Sequence, residues 1–132
     1  MKVIIAGGRE FTDYELLKRE CDRLLADLDV RRILSGCQRG ADELGEQYAK
    51  ENKIKIDPHP YKSELGLAGG PVRNREMAVQ ADIAIVFWDG KSKGSRDMIN
   101  QMKRVNKPCY VIPYGEWEPE PEQGALFDEV KA

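Results

Sequence analysis

The chain has 132 residues, 41% of them hydrophobic and 33% charged, which fits one globular domain and no more. A net charge of -2 without a lysine and arginine stripe makes nucleic acid an unlikely partner. The longest apolar runs, "VIIA" and "IAIVFW", are far too short to span a bilayer, and the three scattered cysteines, Cys21, Cys37 and Cys109, fit reduced thiols, not a disulfide framework or a metal site.

The N-terminus carries too short an apolar stretch for a secretory signal, so a cytoplasmic protein is expected. Val3 to Ala6 is a continuous apolar run closed by Gly7 and Gly8, the pattern of a buried strand. In "FTDYELLKRECDRLLADLD", Thr12 and Glu15 form a T-x-x-E capping box, which makes Thr12 the expected N-cap. Leu17, Cys21, Leu24, Leu25 and Leu28 then recur at helical spacing and define the apolar face. A second strand is expected over 32–35 and a second helix over 41–51, with Ala41, Leu44 and Tyr48 facing inward.

"IKIDPHP" reads as a short third strand ending at Pro58, and "YKSELGLAGG" as a loop or single helical turn. Pro71 suits the first turn of a helix running to about Val79. "IAIVFW" is the strongest strand signal in the chain. After "DGKSKG", Ser95 is the expected cap of a helix bearing Met98, Met102 and Val105, which Pro108 ends before a last strand, "CYVI". Strict alternation of strands and helices predicts an α/β, three-layer Rossmann-like fold. Its sheet should be five-stranded and mostly parallel, in the order 3-2-1-4-5. The domain is expected over 1–113, with 114–132 an acidic, proline-containing tail whose "ALFDEV" docks back as a short helix.

Four segments break this regularity: "GGREF", "SGCQRGAD", "GGPVRN" and "FWDGKSKGS". Three follow a strand directly, and in a parallel sheet such segments share the carboxyl edge where open α/β folds bind ligands. Glycines admit backbone close to a ligand, and helix N-termini favour anions. Gly7, Gly8, Ser35, Gly36, Gly40, Gly90, Gly94 and Ser95 are therefore the expected suppliers of amides and hydroxyls. Arg9, Arg39, Arg73 and Asn74 are the expected polar side chains, with Arg39 and Arg73 taking phosphate charge. Asp42 either stabilises a helix macrodipole or binds a ribose. Trp88 either stacks on a base or packs under its loop. His59 has no acid or nucleophile at a telling spacing, and neither a metal nor a cofactor is expected.

Together "IIAGGREF", "SGCQRGAD", "GGPVRNREM" and "FWDGKSKGS" resemble the SLOG superfamily of Rossmann-like nucleotide-binding proteins, in its YspA-type branch, common in bacteria and phages. More distantly they are similar to the LOG phosphoribohydrolases and to DprA-type DNA-uptake proteins. The resemblance implies a nucleotide or ribose-phosphate derivative, ADP-ribose-like ligands included, bound by a sensor, carrier or sequestering protein. It also implies an alternative, N-glycosidic hydrolysis of nucleoside monophosphates, with Arg73 and an acid such as Asp97 or Asp89 as catalytic groups. Single-stranded DNA binding is a third reading, and a homodimer through the methionine-bearing helix is implied as well. The glutamate closing the hydrolase motif falls on Met98 here, and "FWDG" replaces its "PGG".

Overall fold

The apolar runs within Lys2–Gly7 and Ile83–Trp88 and the amphipathic segments Tyr14–Leu25 and Lys93–Arg104 form the elements their periods dictate. The structure, a computed structural model, describes residues 1–117. In chain order the elements are β1 (Lys2–Gly7), α1 (Tyr14–Leu25), β2 (Arg32–Ser35), α2 (Ala41–Glu51) and β3 (Lys55–Pro58). A 3₁₀ segment (Ser63–Ala68) leads to α3 (Gly69–Gln80), β4 (Ile83–Trp88), α4 (Lys93–Arg104) and β5 (Cys109–Pro113). The sheet order is β3-β2-β1-β4-β5, and every pairing is parallel. This is the expected Rossmann-like architecture.

The side-chain alternation of the central strands builds two cores. Val3 and Ile5 of β1, with Ile83, Ile85 and Phe87 of β4, pack against Leu17, Cys21 and Leu25 of α1 and Ala41, Tyr48 and Ala49 of α2. Ile4, Ala6, Ala84, Val86 and Trp88 face the other way, against Met77 and Ala78 of α3 and Met98, Ile99 and Met102 of α4. Helices therefore cover both faces, and β4 is buried along its whole length, as a central parallel strand requires. Gly45 lets α2 settle onto β1, since a Cβ there would come within 2.8 Å of Ile5 Cγ2.

Some local expectations are corrected. Asp13, not Thr12, caps α1: its Oδ1 accepts the Leu16 amide at 3.0 Å, so the cap sits one residue later than the T-x-x-E spacing implies. Ser92, not Ser95, caps α4, its hydroxyl accepting from the Ser95 amide. Leu28 lies beyond the end of α1 and is 37% exposed, outside the core. The segment after β3 is two short turns kinked at Gly66, whose φ is 58°. The expected docking of "ALFDEV" lies outside the described residues. No helix among the described residues is long and apolar enough to cross a membrane.

Candidate functional site

The strand order reverses between β1 and β4, so the loops leaving them diverge and open a crevice at the carboxyl edge. A cavity of about 440 Å³ occupies it. Its floor is the end of β1 (Ala6, Gly7) with Arg9, and one wall is Gly36, Gln38 and Asp42 from the β2–α2 turn. The first turns of α3 (Gly70, Pro71, then Arg73 and Asn74) and of α4 (Ser92 to Ser95, then Asp97 and Met98) form the rest of the polar lining. Tyr61, Leu67, Pro71, Met77 and Met98 supply an apolar side.

The α3 N-terminus has no side-chain cap; the Gly69 amide donates to the Gly66 carbonyl and Pro71 has no N–H, so Gly70 supplies the first-turn amide at the crevice. At α4 the cap is a long 3.5 Å contact from the Ser95 amide to Ser92 Oγ. Two helix N-termini thus face one cavity, which favours an anion there. Arg73 adds a formal charge. It is only 8% exposed. Nη1 donates to the carbonyls of Gly36 (2.7 Å) and His59 (3.2 Å), and Nε donates to Asn74 Oδ1 at 2.9 Å. These three bonds leave Nη2 with no partner among the described residues, and Arg73 lines the cavity. Asn74 in turn donates to Asp97 Oδ2 (3.0 Å) and to the Gly94 carbonyl (3.3 Å), tying α3 to α4.

Asp42 stands beside Arg73, across Gly36. Oδ2 accepts the Gln38 amide at 3.2 Å. Burial pushes its carboxyl up to about 6, against the opposing pull of the Gln38 amide and the Arg73 charge. Gly36 lies between the two groups: a Cβ there would stand 2.7 Å from Asp42 Oδ2 and 2.8 Å from Arg73 Nη1. Gly94 differs, for a Cβ on it would meet nothing within 4 Å. Internal packing therefore requires a glycine at 36 and not at 94.

Of the residues expected at the site, Gly7, Arg9, Gly36, Asp42, Arg73, Asn74, Gly94, Ser95 and Asp97 line this cavity together. Others lie elsewhere, for identifiable reasons. Arg39 points away from the cavity and pairs with Glu10 at 2.7 Å on the surface. Ser35 Oγ donates to Glu46 at 2.6 Å, beneath the turn. Gly8 and Gly40 serve the fold. The Gly8 carbonyl accepts the amides of Phe11 and Ala41, and Gly40, with φ 83°, begins α2 against the carbonyls of Gly8 and Arg9.

Trp88 is buried, with Nε1 donating to the Ser92 carbonyl (3.0 Å), Trp117 edge-on at 5.0 Å and Arg96 over its ring. That is the loop-packing role, and it leaves no face for a base. Asp89 Oδ1 accepts the amides of Lys91 and Ser92, both at 2.8 Å, and shapes the β4–α4 turn with Gly90 at φ 80°. Cys37 sits outside the cavity with φ 64°, and burial raises its pKa, so it stays a thiol. Sequence reasoning misses the apolar side and Lys93. Met98 is visible in the sequence as a departure from the hydrolase motif, whereas Tyr61 and Leu67 carry no local signal. Among the described residues no histidine, cysteine and carboxylate cluster could hold a metal.

Fold and crevice define a Rossmann-like α/β domain with an anion-receptive cavity at its switch point. Residues 1–64 match the family described as "YspA, cpYpsA-related SLOG family", so the SLOG resemblance holds and this half carries the signature of the YspA-related branch. The structure is similar to DNA processing protein A (DprA) from Streptococcus pneumoniae, with a TM-score of 0.70 at 18% identity. The match covers 97% of this chain and 56% of that one, so the chain spans little more than half of that protein's length. It is also similar to DNA processing protein A from Helicobacter pylori, whose structure is described for its single-stranded DNA binding mode. There the TM-score is 0.64 at 22% identity, over 100% of this chain and 74% of that one. These likenesses establish the fold. Comparison with curated proteins gives no match.

Proposed function

We propose that the crevice binds a nucleotide or ribose-phosphate derivative and that the protein acts as a sensor, carrier or sequestering protein for it. The observation that carries this reading is the buried Arg73, which keeps Nη2 without a partner among the described residues and lines a cavity flanked by the first turns of α3 and α4. A guanidinium and two helix N-termini converging on one space suit a phosphate. The apolar side suits a base or another planar group.

Binding without efficient turnover is the favoured form. Asp97 is the acid nearest the hydrolase pattern, and it already holds Asn74 at 3.0 Å and Gln101 at 3.4 Å. Beside it Met98 offers a thioether, which cannot move a proton near neutral pH. General-base help is typically worth roughly 10²–10⁴-fold, and its lack leaves hydrolysis slow. A polynucleotide is the second reading, supported by the description of the Helicobacter pylori structure.

The test is mass spectrometry of small molecules released from the purified protein, followed by calorimetric titration with nucleoside monophosphates. A released or titratable nucleotide is expected, with no free base detected by chromatography after incubation. Tight binding of a single-stranded oligonucleotide with no affinity for mononucleotides would replace this reading with the second. Robust base release lost in Asp97→Asn would establish the hydrolase.

A further inference from the structure

Two charged side chains in the crevice are more than nine-tenths buried, and each keeps an atom without a partner among the described residues. Asp42 is 7% exposed and Arg73 is 8% exposed. Arg73 Nη2 is the free donor already described. Asp42 Oδ1 is a free acceptor: Oδ2 holds the Gln38 amide, and Oδ1 has no partner among the described residues. Every fully buried side-chain nitrogen or oxygen described has a hydrogen-bond partner, so Oδ1 is not sealed in the protein. Asp42 lines the cavity, which is the space available to Oδ1.

A carboxylate oxygen needs a donor, and a phosphate has none at neutral pH. Asp42 would repel an anion placed against it, while Arg73 and the helix N-termini attract one. The cavity is therefore polarised. The Arg73 side takes negative charge, and Asp42, next to it across Gly36, takes a hydroxyl or amine. Gly36 brings the two groups together, since one point lies 2.7 Å from Asp42 Oδ2 and 2.8 Å from Arg73 Nη1. The matching ligand carries a hydroxyl donor a few bonds from its phosphate. A ribose phosphate has that arrangement, and a 2-deoxyribose phosphate lacks one of its donors.

We infer that Asp42 is a specificity-determining residue that accepts a ribose hydroxyl, so that the crevice selects ribonucleotides over their 2′-deoxy counterparts. The inference rests on the proposed nucleotide reading and deepens it. It also predicts that this cavity is a poor site for DNA. A buried carboxylate accepting one hydroxyl supports discrimination of roughly 10- to 100-fold, the scale of a single charge-assisted hydrogen bond.

The experiment is calorimetric titration of the full chain with the four ribonucleoside 5′-monophosphates, their 2′-deoxy counterparts, ribose 5-phosphate and 2-deoxyribose 5-phosphate. The ribo form is expected to bind at least about tenfold tighter within the preferred pair. Asp42→Ala, and Asp42→Leu as a larger variant that also lacks an acceptor, are expected to bind both forms equally, with the deoxy affinity unchanged or raised. The wild-type comparison needs no variant, so poor folding of either does not block the test. Equal wild-type affinities would overturn the sugar selection and leave the phosphate reading intact. Variants that lose both forms in proportion would make Asp42 structural and overturn the inference. No binding of any probe would overturn both readings together.

Discussion

Gly36 and Gly94 are both cavity glycines, yet they answer to different constraints. At 36 a methyl group would press on Asp42 and Arg73, two side chains held in place by hydrogen bonds. Gly36→Ala is expected to cost about 1–3 kcal/mol, the usual scale of overpacking. At 94 the space is open and the residue lies in the first turn of α4, so Gly94→Ala is expected to leave stability unchanged or raise it by up to about 1 kcal/mol. Denaturant unfolding of both variants separates the cases. Gly94→Ala should weaken titrated nucleoside monophosphate by about tenfold or more, because the methyl fills the approach to the α4 amides. Unchanged affinity would remove those amides from the site.

Asp42 makes a second residue-scale expectation. Burial holds its folded pKa near 6, above the ordinary carboxyl value of 3.8. The native state then binds the proton more tightly than the unfolded chain does, so ionisation disfavours folding. This carboxyl's contribution to stability is full below about pH 4 and is lost as pH rises to about 6. The loss is roughly 2–3 kcal/mol, since each tenfold difference in proton affinity between the folded and unfolded chain is worth about 1.4 kcal/mol. Asp42→Asn is expected to flatten that segment of the pH–stability curve and to be more stable than wild type at pH 7.5. Chemical denaturation at pH 4, 5, 6 and 7.5 measures it; an unchanged slope would show that the carboxyl is solvated.

At the scale of elements, the helix starts show what local sequence can and cannot specify. The T-x-x-E pattern marks the start of α1 to within one residue, but two adjacent side chains, Thr12 and Asp13, both suit a cap. Backbone geometry selects Asp13, which reaches the Leu16 amide at 3.0 Å. Asp13→Ala is expected to cost about 1 kcal/mol and Thr12→Ala less than about 0.5 kcal/mol, read from thermal or urea unfolding. Equal costs would restore the capping box. The Ser92 and Ser95 ambiguity at α4 has the same origin, since both hydroxyls lie near the first turn and only the turn shaped by Asp89 decides between them. Arg39 illustrates a different failure. Its position in "SGCQRGAD" is local, but its direction is set by Glu10, 29 residues away. Arg39→Ala is accordingly expected to leave nucleotide affinity within about twofold, as an exposed pair contributes little.

For the whole molecule, topology is the most legible level. Alternating strand and helix periods leave few arrangements, and right-handed parallel crossovers bring the β1, β2 and β4 loops to one edge. That is why the pattern of residues alone suffices to group Gly7, Gly36, Asp42 and Gly94. The apolar side is not legible in the same way, because Tyr61 and Leu67 enter from the segment after β3, across no periodic element. Packing contacts continue beyond the expected boundary at 113. Past it, Tyr114 packs against Phe11 with ring centroids 4.8 Å apart, and Trp117 packs on Gly90 and Trp88, its Nε1 donating to the Trp88 carbonyl at 2.8 Å. These contacts brace the β4–α4 loop, which carries Ser92 to Ser95 into the cavity. Trp117→Ala is therefore expected to destabilise the domain by about 1–3 kcal/mol, less than a fully buried tryptophan. Gly90→Ala should act partly through the same contact, because a Cβ at 90 would come 2.7 Å from Trp117 Cδ2. The double variant should then lose less than the sum of the two, by about 0.5 kcal/mol or more. Urea unfolding of the four proteins in this cycle measures the coupling. Strict additivity, or no cost for Trp117→Ala, would mean that the domain ends at 113 and that the loop stands without its brace.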